Sequence, residues 1–310
     1  MNYFITIQPL FKYIGGKSWL KKDLSLYVIK HVEQSKFSTY IEPFAGGLGA
    51  FLSIYDILLK NNIHNVILSD INETLIHTYQ CIQNNPNLLI QEFLKIENEF
   101  VNKVDHNWIN KKNKNELKEC LKNAEFFFNQ IKKEFNQNKF HINIQQSARF
   151  IFLQKHAFNG IYRENSKGEY NTPFNWSGSN MLNTIEYKIQ ELHHLFHKFN
   201  LQFICQSFEK IDYHQNALYY LDPPYINDNF LENKYHADSF NLQKQILLIE
   251  KIKNSNFIYS NHKSEILFHE FRNINDIEIK EVARKNIMSS KSQNRKNDKI
   301  EILIYHSLNS

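Results

Sequence analysis

Three stretches of the chain combine residue types that could do chemistry. In Tyr219-Tyr220-Leu221-Asp222-Pro223-Pro224-Tyr225 an apolar run ends in an acid, two prolines and an aromatic ring. Two prolines cannot continue a strand ladder and they stiffen the turn that follows. Such a turn fixes a carboxylate, the carbonyl of Pro223 and the face of Tyr225 in one place. Two acceptors suit the two N–H bonds of an amino group on a planar base, and the ring suits stacking on that base. A merely rigid loop would account for the prolines but not for the acid and the aromatic beside them.

The second stretch, Tyr40-Ile41-Glu42-Pro43-Phe44-Ala45-Gly46-Gly47-Leu48-Gly49, reads as a strand, a glycine-rich turn and the start of a helix. A turn of this kind offers a ligand the carboxyl end of a first strand. Asp70 follows Gly49 by 21 residues and ends the apolar run Val66–Ser69. An acid at roughly that distance, about 20 residues on, holds a ribose diol in dinucleotide folds. The geometry suits an adenosine-type cofactor. The spacing is not Gly-x-Gly-x-x-Gly, so a nicotinamide dehydrogenase is a minor rival, and a plain turn with Asp70 capping a helix is the bland alternative. The third stretch, Phe11-Lys12-Tyr13-Ile14-Gly15-Gly16-Lys17-Ser18, sets a lysine after adjacent glycines. It lacks the first glycine of a P-loop, and an ordinary turn explains it as well.

These residues need elements to hold them. Runs at Tyr40–Glu42, Val66–Ser69, Leu201–Cys205, Ala217–Leu221 and Phe257–Ser260 read as buried strands, and Leu48–Leu59 and Leu242–Ile252 as helices between them. Alternation of this kind predicts a parallel, doubly wound sheet. Ile277–Ala283 and Ile300–His306 read as an antiparallel pair closing it. Residues 73–158 are helical in period, broken at Pro86 and at Asn110–Asn115, with Lys111–Lys114 as a solvated loop. Residues 159–180 are turn-rich. The organisation expected is a catalytic domain from 1–72 and 200–310, and an inserted, mainly helical domain at 73–199 with a hairpin at 159–180.

Composition narrows the class. The 310 residues are 42% hydrophobic and 22% charged, which fits a globular chain and excludes a disordered or fibrous one. Eight glycines fall well below the usual share of roughly 7%, and five of them sit in the first two glycine clusters. Cys81, Cys120 and Cys205 stand far apart, so a disulfide scaffold is excluded, and they read as reduced, mostly core thiols of a cytosolic protein. No apolar run reaches membrane-spanning length, and residues 1–10 lack the charged start of a secretory signal. The net charge is +5, and Lys280–Lys299 holds seven basic and two acidic residues, so the rest of the chain is neutral. His193, His194 and His197 share a helical pattern without the look of a zinc site. The Phe126-Phe127-Phe128 run reads as helix core.

Together the motifs resemble the Dam-type DNA adenine-N6 methyltransferases, the class whose order is cofactor motif, target-recognition domain, then Asp-Pro-Pro-Tyr. The likeness spans residues 11–306. It rests on Lys12–Lys17, Glu42–Gly46, Ser69–Asn72, Asn159–Arg163, Gly168–Phe174 and Asp222–Tyr225, with Tyr259–His262 and Ser289-Ser290 as later segments. The resemblance implies a Rossmann-like α/β fold with a seven-stranded sheet, mostly parallel with an antiparallel C-terminal hairpin, plus the inserted helical recognition domain. It implies S-adenosylmethionine as methyl donor, held by Tyr13, Lys17, Asp70 and Asp222, with Phe44 and Gly46 shaping the pocket. It implies Asp222, Pro223 and Tyr225 as the catalytic set, acting on a flipped-out adenine. It implies GATC as target, with Lys12 at the first guanine, Ile161 and Pro173 at the third base pair, Arg163 at the last, and Asn159 in the same recognition stretch. After Phe174 the chain departs from the pattern, with Asn175-Trp176-Ser177 in place of a Gly-basic-aromatic run.

The expected partner is double-stranded DNA, with a cognate restriction endonuclease as a further candidate. No metal and no membrane are expected, and the chain reads as a cytoplasmic, DNA-associated monomer. Within this frame the basic run at 280–299 becomes a phosphate-backbone contact. Rival readings are an amino-methyltransferase acting on RNA adenine, cytosine N4 or protein glutamine, and a catalytically idle DNA-binding protein.

Overall fold

The computed structural model describes residues 7–11, 17–34, 37–105, 113–175, 182–225, 240–283 and 300–308. Seven strands form one sheet: β1 (Thr39–Glu42), β2 (Asn65–Asp70), β3 (Asn200–Cys205), β4 (Ala217–Leu221), β5 (Asn256–His262), β6 (Ile277–Ala283) and β7 (Ile300–His306). Their order is β3-β2-β1-β4-β5-β7-β6. β1 pairs in parallel with both β2 and β4, and β4 in parallel with β5. β7 runs antiparallel to β5 and to β6, as the C-terminal pattern predicts. The sheet therefore starts at β1 and grows outward on both sides. That switch point is where open α/β sheets bind ligands, beyond the carboxyl ends of their strands.

The backbone contacts divide the chain into two compact units. One comprises Trp19–Ala45, Ser53–Ile71 and Gln206–Ser310. Every residue of its central strand β4 is buried, as expected of a strand covered on both faces. Side chains alternate across it. Tyr219 and Leu221 join Ile41, Phe257, Tyr259, Ile302 and Ile304 in a core packed by Leu248, Ile249 and Ile252 of α9 (Leu242–Ile252) and by Leu267 and Phe271 of α10 (Glu265–Phe271). In α1 (Lys21–Gln34), Leu24, Tyr27, Val28 and His31 are buried, and Tyr27 stacks on Tyr305 of β7 at 5.0 Å between ring centroids. The edge strand β6 carries paired charges: Glu278 with Lys30, Lys280 with Asp23, and Glu281 with Lys263. Charges on an edge strand discourage pairing with another chain.

The other unit comprises Met1–Ser18, Gly46–Leu52 and Asn72–Cys205. It is built from α3 (Glu73–Asn84), α4 (Pro86–Val101), α5 (Lys114–Cys120), α6 (Lys122–Gln137), α7 (Ile144–His156) and α8 (Leu182–Phe196). Pro86 occupies the first turn of α4, where its missing N–H costs nothing. Nearly every side chain of α7 from Gln146 to His156 is buried, so α7 is the helix the others pack around. Its phenylalanines form an aromatic core, with Phe152 5.3 Å from Phe100 and Phe150 6.2 Å from Phe135.

Four expectations change. The helix expected from Leu48, α2, begins instead at Phe51 and ends at Lys60, because Leu48 takes a left-handed backbone with φ of 62°. Lys114 and Asn115 are not loop but the first turn of α5, capped by Asn113. Phe127 and Phe128 are core as expected, whereas Phe126 is 65% exposed, since three consecutive helix positions cannot face one side. Among the cysteines only Cys81 is buried.

Candidate active site

The two short motifs of the sheet unit meet at the carboxyl ends of β1, β2 and β4. Glu42 ends β1 and is almost wholly buried, accepting a hydrogen bond of 2.7 Å from the Tyr40 hydroxyl. Burial, then the charge of Glu42, drives the Tyr40 phenol well above its ordinary pKa, so it stays a donor. The turn after β1 is tied to the end of β2 by the Ala45 amide donating to the Ser69 carbonyl at 2.9 Å. Phe44 is half-buried, 5.7 Å from the ring of Phe208 and 5.5 Å from that of Phe240.

Asp70 ends β2 half-buried. It does not cap the following helix; Asn72 does, accepting from the Leu75 amide at 3.0 Å. A carboxylate at the end of a strand has the chemistry to hold a ribose diol. In the helical unit Leu48 takes a left-handed backbone. A leucine at positive φ costs of order 1–3 kcal/mol, and strain of this kind collects at ligand-binding turns. In the same unit Gly46, at φ of 44°, accepts from the Tyr79 hydroxyl at 2.8 Å, and Lys17 is only 2% exposed. Lysines are almost never buried so fully unless paired.

The Asp-Pro-Pro-Tyr turn is held from three sides by residues distant in sequence. Ser260 of β5 donates to Asp222 Oδ1 at 2.9 Å, and the Tyr220 hydroxyl lies 3.0 Å from Ser260 Oγ. Burial, then the Asp222 charge, raises the Tyr220 phenol well above its ordinary pKa, so its proton is available to Ser260. Gln245 of α9 donates to the Pro224 carbonyl at 3.0 Å and is itself oriented by the Tyr259 hydroxyl at 2.6 Å. Tyr225 donates through its hydroxyl to Glu301 of β7 at 3.1 Å, with its ring 4.1 Å from that of His262. Asp222 and Tyr225 remain half-buried and Pro223 is buried.

The recognition stretch forms a small hairpin in the helical unit. Antiparallel bridges join Ala157 to Phe174 and Glu164 to Tyr170. Asn159 and Gly160 both take positive φ, turning the chain out of α7. Asn159, Arg163 and Pro173 are exposed and Ile161 is half-buried. Arg163 Nε donates across the hairpin to Asn171 Oδ1 at 2.8 Å. It forms no ion pair with Glu164, which takes the Tyr162 hydroxyl instead. Asn136 of α6 clasps both the amide and the carbonyl of Tyr170, at 2.8 and 3.0 Å. At the base, Glu97 of α4 is 2% exposed and binds Lys155 at 2.6 Å and His156 at 2.8 Å. Burial pushes the Glu97 carboxyl up, but the hydrogen bonds from His156 and Lys155 and the charge of Lys155 outweigh it and hold the group below its usual range.

Of the residues singled out from sequence, Phe44, Asp70, Asp222, Pro223 and Tyr225 lie in the sheet unit. Lys17, Gly46, Asn159, Ile161, Arg163 and Pro173 lie in the helical unit. Lys12, Tyr13, Ser289-Ser290 and the basic residues 284–299 lie outside the described residues; Lys280 belongs to β6, not to a loop. Ser260, Gln245 and Glu301 had no sequence signal as site residues, although Ser260 falls in the segment Tyr259–His262. The Nδ1 atoms of His193, His194 and His197 each face a backbone carbonyl, and among the described residues no cluster of His, Cys, Asp or Glu is placed to hold a metal ion. No described helix is long and apolar enough to cross a membrane.

A doubly wound α/β sheet with an Asp-Pro-Pro-Tyr turn closing its central strand defines the class: a methyltransferase acting on an amino group of a base. Residues 13–296 match the D12 class N6 adenine-specific DNA methyltransferase family, and the chain belongs to that family. It is 29% identical to the type II methyltransferase M.MjaIII of Methanocaldococcus jannaschii, over 96% of this chain and 98% of that protein. It is 27% identical to a DNA adenine methylase of Salmonella typhi, over 93% and 92%. It is 23% identical to the type II methyltransferase M1.LlaDCHI of Lactococcus lactis subsp. cremoris, over 94% and 93%. The family's acceptor is adenine in DNA, which sets aside the RNA, cytosine and glutamine acceptors.

Proposed function

We propose that this chain transfers a methyl group from S-adenosylmethionine to N6 of adenine in duplex DNA, within GATC, after flipping the base out of the helix. The observation that carries the reading is the Asp222 carboxylate, pinned by Ser260 at the end of β4 beside the ring of Tyr225. S-adenosylmethionine supplies an electrophilic methyl on a sulfonium. Asp70 suits its ribose, Phe44 and Gly46 its adenine pocket, and Tyr13, Lys17 and Asp222 its remaining polar groups.

The target N6 lies inside the stacked duplex, so the base must leave it, at a few kcal/mol. Tyr225 offers a ring for it, and base–aromatic stacking returns roughly 1–3 kcal/mol. The N6 lone pair is delocalised into the purine and is a poor nucleophile. Asp222 and the Pro223 carbonyl each accept one N6 proton, which favours a pyramidal nitrogen with its lone pair free. As the methyl transfers, N6 becomes cationic and the Asp222 charge stabilises it. Alignment of the two reactants contributes roughly 7–11 kcal/mol. The methylated ammonium is acidic and loses its proton afterwards, so no strong base is required.

Residues 159–174 read the sequence, with Arg163 suited to a guanine, and residues 73–199 serve as the recognition domain. Lys12 belongs to the same readout by the family likeness. The reading carries a monomer on DNA in the cytoplasm, and the type II names among the relatives support a cognate restriction endonuclease as partner. The test is transfer from labelled S-adenosylmethionine to duplexes with and without GATC. Incorporation confined to the GATC duplex, recovered as N6-methyladenine and abolished in a folded Asp222→Ala variant, is expected. Incorporation into cytosine, or an active Asp222→Ala variant, overturns it.

A further inference from the structure

Glu301 is a carboxylate with no accessible surface, placed at the second position of β7. In the antiparallel register Glu301 stands directly opposite His262 of β5, so their side chains share one face of the sheet. Both reach Tyr225. Glu301 Oε2 accepts from its hydroxyl at 3.1 Å, and the imidazole of His262 lies 4.1 Å from its ring, inclined at 54°. Burying a carboxylate is costly, so a sequence that only needed a filled core would carry an apolar residue here. A tyrosine ring free about its side-chain torsions would present its face to a base only part of the time.

We propose that Glu301 is the positioning residue for Tyr225: with His262 as its cross-strand partner, it holds the phenol by its hydroxyl so that the ring face stands ready for the flipped adenine. The proposal rests on the reading that Tyr225 stacks on the target base. It makes the hydroxyl of Tyr225, as well as its ring, matter to the reaction. That distinguishes it from a hydrogen bond that only stabilises the ends of β5 and β7.

The experiment uses the full chain, S-adenosylmethionine, and plasmid DNA free of adenine methylation, with N6-methyladenine as readout. Tyr225→Phe and Glu301→Leu are each expected to lower kcat about tenfold, the value of one hydrogen bond to a charged group, with KM for DNA and cofactor within about twofold. The double variant is expected to be no slower than the slower single one. Glu301→Gln, which keeps an oxygen acceptor, is expected to recover most of the loss. Additive losses, a Glu301→Leu variant with unchanged kcat, or an effect confined to KM overturns the proposal. Should Glu301→Leu not fold, Tyr225→Phe carries the test: a tenfold lower kcat is expected, and a kcat equal to wild type overturns the proposal. A Tyr225→Ala variant as fast as wild type overturns the stacking reading itself, whereas a slow Tyr225→Ala beside a fast Glu301→Leu overturns only the role of Glu301.

Discussion

On the proposed mechanism the carboxylate of Asp222 works only if it is both charged and aimed. The chain Tyr220–Ser260–Asp222 supplies the aim. Tyr220 keeps its proton and leaves Ser260 to donate to Asp222 Oδ1. Ser260→Ala should therefore slow single-turnover methyl transfer about tenfold while leaving DNA binding little changed, and Tyr220→Phe should slow it less, being one bond further away. Quenched-flow transfer alongside DNA titration checks this; equal rates for Ser260→Ala and wild type would sink it. Asp222, Pro223 and Tyr225 stand out in the sequence as candidates because they are contiguous in one turn. Ser260, Gln245 and Glu301 do not, because they bond to that turn from 38, 21 and 76 residues away. A single sequence carries no mark of such pairings until the strand order is known.

The hairpin at 157–174 is an element held at both ends. Glu97 locks the last turn of α7, the Phe158 amide donates to the Pro173 carbonyl at 2.9 Å, and Asn165 organises the tip by accepting from the amides of Lys167 and Glu169. Between them Arg163 is aimed by Asn171, which leaves part of its guanidinium fork for a ligand. If Arg163 reads the last position of the site, Arg163→Ala should cost about 1–3 kcal/mol of discrimination there and little elsewhere. Asn171→Ala should relax the same position more weakly. Transfer rates on duplexes changed one base pair at a time, at two salt concentrations, decide it. Uniform weakening with a shallower salt slope would make Arg163 a phosphate clamp. At this scale the strands were the readable part. All seven lie where the sequence predicts them, five as apolar runs and β6 and β7 as the antiparallel pair, since a strand covered on both faces leaves a continuous β-branched and aromatic segment. Helix α7 lies within residues 73–158, whose period reads as helical, although its buried face carries Gln146, Ser147 and Gln154, whereas α1 gives a weaker apolar pattern because its buried face includes His31.

Those buried polar residues set how the whole molecule answers to acid. Each unit encloses a histidine that folding keeps neutral. Burial drives His31 in the sheet unit from 6.5 down to about 3, and burial likewise lowers His156 in the helical unit, against the pull of Glu97. Above the ordinary histidine value both the folded and unfolded chains hold these rings neutral, so stability is flat. Below it the unfolded chain takes up protons that the folded chain refuses, and stability falls as pH falls. Glu97 adds nothing to this window. Its carboxyl is held below its ordinary value, so its contribution is complete above that value and is lost only in stronger acid. Between pH 6.5 and pH 5 the His31 contribution is roughly 2 kcal/mol, from about 1.4 kcal/mol per pH unit. Thermal melts at pH 7.5 and pH 5.0 should show a drop in Tm for the wild type and a smaller one for His31→Gln, which places a neutral amide where the imidazole stood. Equal drops in the two proteins would mean that His31 is protonated in the folded state. The contact of its ring with that of Tyr305, tilted by 41° at 4.3 Å, would then be a cation–π contact rather than an apolar one.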